Sequence, residues 1–166
     1  VPTFIAVLTV FNSFVISPAT VTHTSMEPNY FEGDNIFLLH MTKYNRFDVV
    51  VVLAEESSYL EESDNYSMNE YYIKRIIGLP GETVSIANGS VSINGELIDD
   101  SKYLKLNTMT YCDLGTNENP DDVCTFVVPE GEYFLMGDNR RASYDSRDVG
   151  TFKEDHLYGK VIFKVG

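Results

Sequence analysis

Twisted antiparallel β-sheets closing toward a barrel, in a mainly β class, are the architecture to expect of this sequence. Short β-branched and apolar runs recur from residue 35 to residue 164, each bounded by Gly, Asn, Asp or Pro. Two Asn-Gly pairs, Asn88-Gly89 and Asn94-Gly95, sit where alternating runs reverse, and Asn-Gly is the strongest two-residue hairpin signal. No internal repeat and no long amphipathic helix is present, so sheets rather than a helical bundle must bury the apolar residues.

Taken in order, residues 35–40 form one apolar run and residues 48–53 a second. The second is so rich in valine that both of its faces should be covered. Residues 71–77 are a third, stopped by Gly78-Leu79-Pro80-Gly81. Residues 83–86 and 91–93 alternate cleanly around Asn88-Gly89, and residues 126–128, 132–136 and 160–164 complete the set. Between them lie two expected loop insertions, an acidic one at 55–70 and one at 105–125.

The chain has 166 residues and a formal charge of −13, from 12 Lys and Arg against 25 Asp and Glu. One domain suits this length. The acidity argues against nucleic acid, which is gripped by clustered cations, and against a polybasic hold on anionic lipid. Much of it falls near Glu61, Glu62 and Asp64, read as a solvated loop. Cys112 and Cys124 flank a turn-rich stretch, with a spacing foreign to paired C-x-x-C zinc motifs. With His23, His40 and His156 scattered, no metal and no cofactor is expected. The cysteines read as a loop-stapling disulfide formed in an oxidising compartment, the alternative being two unrelated buried thiols. The apolar, uncharged start, residues 1–11, is shorter than the ~20 residues that cross a bilayer. On its own it is either a buried element or the outer end of a membrane anchor.

Three segments could carry chemistry. In Thr24-Ser25-Met26-Glu27-Pro28 the serine lacks a G-x-S-x-G elbow and alone reads as a turn residue. In residues 71–82 (YYIKRIIGLPGE), strand alternation puts Lys74 on one face between Tyr72 and Ile76. From that segment alone Lys74 should snorkel, its ammonium in water. The sharper possibility is a buried amine of lowered pKa able to act as a base. Residues 137–150 (GDNRRASYDSRDVG) read as a well-satisfied loop braced by Asp145 and Arg147.

Together, S-M-x-P, Y-I-K-R-x-x-G-x-P-G-E and G-D-N-R-x-x-S-x-D-S-R-x-x-G, in that order, resemble the boxes of type I signal peptidases. Residues 46–51 (RFDVVV) look like the intervening R-G-D-V-V box, and the resemblance spans roughly residues 14–165. Lysine in the second box separates the chain from endoplasmic-reticulum signal peptidase subunits, which use a histidine there, and points to a bacterial or organellar type, the bacterial one favoured.

The resemblance implies the barrel-like signal peptidase I fold and a serine endopeptidase with a Ser-Lys dyad. The nucleophile would be Ser25 and the general base Lys74, with Ser143 orienting the amine. Met26 and Val21 would line the substrate-binding site, and Asp145–Arg147 and Arg75–Asp138 would form structural ion pairs. The Ser25 N–H would be one oxyanion donor. His23 stands where many members place a serine as the second donor and others a glycine, so His23, Thr24 or water could fill that role. Asn29 replaces a usual threonine, a tolerable change, and Phe47 replaces the glycine of R-G-D, which would relax a tight backbone feature.

The implied partners are signal peptides of secreted preproteins and the membrane lipid surface, approached by Tyr30 and Phe31. Residues 1–12 then become the outer end of a single-pass anchor, and residues 13–166 an extracytoplasmic catalytic domain. Two rivals remain. A self-cleaving repressor-type protease shares the dyad, but the acidic charge and apolar start count against it. A signal-peptidase-like assembly factor or chaperone for surface-fibre (pilus) subunits would need no intact dyad.

Overall fold

The computed structural model describes residues 15–53, 71–112 and 123–165. The proposed anchor segment 1–12 and the acidic insertion 55–70 lie outside the described residues, as does the middle of the 105–125 insertion. Among the described residues no helix is long and apolar enough to cross a membrane.

The strands are β1 (Ile16–Thr20), β2 (Asn35–Leu39), β3 (Val49–Leu53), β4 (Tyr71–Gly78), β5 (Thr83–Ala87), β6 (Ser90–Ile93), β7 (Glu96–Leu97), β8 (Cys124–Val127), β9 (Glu132–Met136), β10 (Phe152–Lys153) and β11 (Leu157–Val165). One helical turn, α1 (Ser146–Val149), precedes β10. A seven-stranded antiparallel sheet runs β1-β2-β11-β3-β4-β9-β10 and curls into a half-barrel. A four-stranded sheet runs β7-β6-β5-β8. The mainly β, antiparallel class expected from the sequence is the class observed.

β3 shows why the large sheet curls. Val49 to Val52 are all buried, and alternate members serve different cores. Val49 and Val51 pack with Val21, Met26, Ile36, Leu38 and Ile73. Val50 and Val52 face the other way, onto Ile76, Tyr133, Leu135, Phe152 and Leu157. A strand covered on both faces has no use for alternation, so its sequence is a continuous apolar run. The small sheet closes a third core, in which Val84, Ile86, Val91 and Ile93 meet Ile77, Phe134 and Met136.

Both Asn-Gly pairs turn the chain as expected. Asn88 and Gly89 have φ of 52° and 74°, and Asn94 and Gly95 of 51° and 86°. The left-handed conformation at both central residues is what a type I′ hairpin requires. Cys112 and Cys124 form a disulfide with Cα atoms 5.8 Å apart, as the flanking loop composition suggested.

Three strands and a helical turn were not anticipated. β1 contains Pro18, which ordinarily argues against a strand but is tolerated at a sheet margin. β7 and β10 have two residues each, too few to carry a period. In the loop expected at 137–150, Asp145 caps α1. Its carboxylate accepts from the Arg147 N–H, while Asp148 accepts from the Asp145 N–H, closing a capping box. Phe47 does not relax the backbone. It keeps φ at 71°, stacks toward Tyr103 at 5.6 Å and accepts a hydrogen bond from Arg75 Nη1 on its carbonyl. The left-handed turn is therefore held by its surroundings despite a side chain that disfavours it.

Candidate active site

Ser25 sits just beyond β1 in a run of tight turns. The Met26 carbonyl accepts from the N–H groups of both Asn29 and Tyr30, and the Glu27 N–H reaches back to the Thr24 carbonyl. Residues 137–139 clamp this loop from outside. The Asn139 N–H donates to the Ser25 carbonyl at 2.9 Å, and Asn139 Nδ2 to the Thr24 carbonyl at 3.1 Å. The serine side of the site is thus held through its backbone carbonyls. Among the described residues the Ser25 N–H has no acceptor.

Lys74 lies in the middle of β4, opposite Val50 of β3. β9 pairs with β4 only from Arg75 onward. On the edge away from β3, the half of β4 before Arg75 therefore borders a cleft instead of β9. Lys74 is 2% exposed, its Nζ lies 2.9 Å from Ser25 Oγ, and the amine sits 5.3 Å from the Tyr72 ring centre. The snorkelling expected from the strand segment alone does not occur, because the Ser25 loop closes over the amine. Burial disfavours the ammonium and pulls its pKa down to about 8. The Asp145 carboxylate opposes that shift, the Arg147 cation adds to it and the Asp148 carboxylate opposes it.

Ser143 is fully buried beside Gly137, and its Oγ makes no hydrogen bond. It therefore makes no hydrogen bond to the Lys74 amine. Asp145 and Arg147 are fully buried and paired by two contacts of 2.9 Å each. Asp145 Oδ2 also accepts the Gly137 N–H at 3.0 Å, and Arg147 Nη2 donates to the Ser143 carbonyl at 3.3 Å. This pair braces the chain that carries Ser143. Arg75 grips Asp138 in a fork, Nε to Oδ1 at 2.7 Å and Nη2 to Oδ2 at 2.6 Å. Asn29 joins that pair by donating to Asp138 Oδ2 at 2.8 Å and to the Tyr103 carbonyl at 2.6 Å. An amide can make both bonds, which accounts for asparagine in place of threonine.

The cleft beside Ser25 and Lys74 encloses about 720 Å³. Its walls are residues 19–25 on one side and 71–74 on the other, with Ile36 and Val51 between them and Glu32, Ala142 and Tyr144 at the margins. Val21 and His23 line it. Met26 does not: it is fully buried and points into the core beneath, against Val21 and Ile73. Its place as a wall of the substrate pocket is not what the structure shows, because the turn after Ser25 rolls it inward. Sequence reasoning missed Ala19, Ile36, Val51 and Tyr144. Ile36 and Val51 gave the signal of inward-facing strand residues, which marks core as readily as cleft. Among the described residues no cluster of His, Cys, Asp or Glu could hold a metal ion.

Comparison with known proteins identifies relatives of this chain. The family model for signal peptidases of the peptidase S26 class matches residues 1–165. Signal peptidase I S of Bacillus subtilis is 34% identical over 89% of this chain and 75% of the relative. Signal peptidase I of Bacillus amyloliquefaciens is 36% identical over 89% of this chain and 74% of its own. Signal peptidase IB of Staphylococcus aureus is 30% identical over 95% and 82%. A crystal structure of a signal peptidase I from Enterococcus faecalis superposes with a TM-score of 0.50 at 31% identity, over 72% of this chain and 97% of that one. The chain belongs to the peptidase S26 family of signal peptidases and is a serine endopeptidase of the signal peptidase I type.

Proposed function

We propose that the protein removes signal peptides from exported preproteins by acyl transfer, with Ser25 as nucleophile and Lys74 as general base. The observation that carries this is the buried Lys74 amine 2.9 Å from Ser25 Oγ, with its pKa drawn down to about 8. Near neutrality a useful fraction of the amine is unprotonated and can take the hydroxyl proton as Oγ attacks the scissile carbonyl. The acyl-enzyme is then hydrolysed by a water that Lys74 deprotonates, a Ser-Lys variant of triad logic. The Ser25 N–H faces the forming oxyanion, and His23 on the same wall is the candidate second donor. Orienting the amine falls to Ser143, whose buried Oγ has no other hydrogen-bond partner.

The preprotein lies extended in the cleft between two unpaired strand margins, β1 and the first half of β4. It gains main-chain hydrogen bonds from them, while the narrow apolar floor at Ile36 and Val51 selects small residues. Residues 1–12 act as the outer end of a single-pass anchor, with the catalytic domain on the extracytoplasmic side. Phe31, Ile162, Phe163 and Val165 expose 40–54% of their surface, an apolar area suited to the lipid interface.

The test is cleavage of a signal-peptide substrate by the purified protein in detergent, with products mapped by mass spectrometry. Cleavage after a small residue, abolished in Ser25→Ala, supports the reading. An intact substrate at every pH from 6 to 10 would favour the assembly-factor alternative.

A further inference from the structure

β11 ends against β2, with Lys164 opposite Ile36 and Val165 opposite Asn35. Two turns lead into β2 at that end, residues 26–30 directly after Ser25 and residues 31–34. The Lys164 ammonium reaches both. It donates to the Asn29 carbonyl at 2.8 Å and to Asp34 Oδ2 at 2.8 Å. It also lies 5.5 Å from the ring centre of Tyr30 and 5.7 Å from that of Phe31. An ammonium carries three donors on one nitrogen, so it can tie two acceptors together at a single point.

Each turn carries a part of the site. In the first, the Asn29 N–H closes on the Met26 carbonyl at 3.0 Å, and Met26 follows Ser25. In the second, Asp34 Oδ2 accepts the Phe31 N–H at 2.8 Å, which pins the turn. The backbone of that turn holds Val21: the Gly33 N–H donates to the Val21 carbonyl at 2.8 Å, and the Val21 N–H to the Asp34 carbonyl at 2.9 Å. Val21 in turn lines the cleft. Asn139 and the Asn29 amide hold the nucleophile turn from the side of residues 137–139. Lys164 holds it from the side of β2 and β11, and ties it to the turn behind Val21.

We infer that Lys164 is a positioning residue for Ser25: its ammonium fixes the nucleophile turn against the turn behind Val21 and so sets where Oγ meets a substrate lying on that wall. This rests on the Ser25 and signal-peptide reading above. The Lys164 side chain is 36% exposed and that of Asp34 13%. An ion pair so open to water adds little to stability. Its effect belongs instead to geometry, where a small displacement between nucleophile and scissile carbonyl is expensive in rate.

The experiment compares the wild type, Lys164→Met and Lys164→Arg on one signal-peptide substrate in detergent. Methionine keeps an apolar stem and loses the donors, whereas arginine keeps both charge and donors. Lys164→Met lowers the single-turnover rate about 10-fold. KM stays at the wild-type value, the mark of an interaction that acts in the transition state. The midpoint of the pH profile stays at about 8, since Lys74 is untouched. Lys164→Arg recovers most of the rate.

Three outcomes overturn the inference while cleavage itself stands. One is an unchanged rate, or a loss confined to KM, in Lys164→Met. Another is a loss of rate that arginine does not restore. The third is a melting temperature for Lys164→Met lower by more than about 5 °C, which marks a general loss of stability. Failure of the wild-type protein to cleave the substrate overturns the signal-peptide reading and this inference with it.

Discussion

Gly137 and Ser143 are packed so closely that a methyl group added to Gly137 would lie 2.2 Å from Ser143 Oγ and 2.5 Å from the Ser25 carbonyl oxygen. No real contact is that short, so a side chain at 137 must push apart the segments that carry Ser143 and Ser25. The glycine is required by space, not by an unusual backbone angle.

Gly137→Ala is therefore expected to damage activity more than stability. Overpacking of this kind costs about 1–3 kcal/mol. Displacing the Ser25 loop by a fraction of an ångström should lower kcat at least about 10-fold. Urea denaturation and steady-state kinetics on the same preparation measure the two effects. A variant with wild-type kcat would mean that the crowding relaxes away from Ser25.

The pH dependence follows from Lys74. kcat/KM should rise with pH through an apparent pKa of about 8 as the amine loses its proton. Lys74→Arg should be inactive, since guanidinium keeps its proton at working pH. The stability effect has the opposite sense to a paired lysine. Folding lowers this pKa, so below about 8 the folded protein carries a buried ammonium at a cost on the order of 3 kcal/mol. That cost fades as pH climbs from the folded value toward the unfolded 10.5, where both states are neutral. Lys74→Met should accordingly melt higher than the wild type at pH 6, and the difference should shrink by pH 10. A variant that melts lower at pH 6 would contradict the buried-charge account.

Arg147 is a different case, a charge whose partner is also fully buried. Arg147→Met leaves the Asp145 carboxylate uncompensated beside the Gly137 N–H it accepts from. The expected loss is about 3–5 kcal/mol. Changing both, Asp145→Asn with Arg147→Met, should cost less than the single change, as a double-mutant cycle in urea will reveal. Equal losses would show that the arginine contributes packing rather than charge.

The disulfide should matter to the same brace. Tyr111, next to Cys112, gives its carbonyl to Arg147 Nη1 at 3.3 Å, and Thr110 Oγ1 accepts from Arg140 Nη1. Cys112→Ser with Cys124→Ser frees this segment and, for a 12-residue separation, should cost about 2–3 kcal/mol. Activity should fall with it at 37 °C and recover on cooling. Thermal melts with and without reductant, beside matched assays, check both parts.

How much of this was legible beforehand depends on how local each signal is. The hairpins were legible because Asn-Gly encodes its own backbone angles, and β3 because four valines have few other places to go. β1 was hidden by Pro18, whose acceptability depends on the strand having a neighbour on one side only, a fact of topology. α1 was hidden because Asp145 was read as bracing when it also caps a helical turn. At the site, Ser25 and Lys74 were found through motif order, not local character: each alone read as an ordinary turn serine and surface lysine. Their proximity arises from contacts 49 residues apart. Met26 was misplaced because adjacency in sequence says nothing about which way a tight turn rolls the next side chain.

Val51 belongs both to the floor of the cleft and to the cluster that fills the half-barrel. Trimming it to admit a bulkier substrate residue would also hollow out the packing that holds β3 between its neighbours. Substrate range and heat tolerance are therefore coupled at one position. A lineage that broadens its cleavage preference here must recover stability elsewhere, and one that moves to higher temperature is pushed toward a narrower choice of targets.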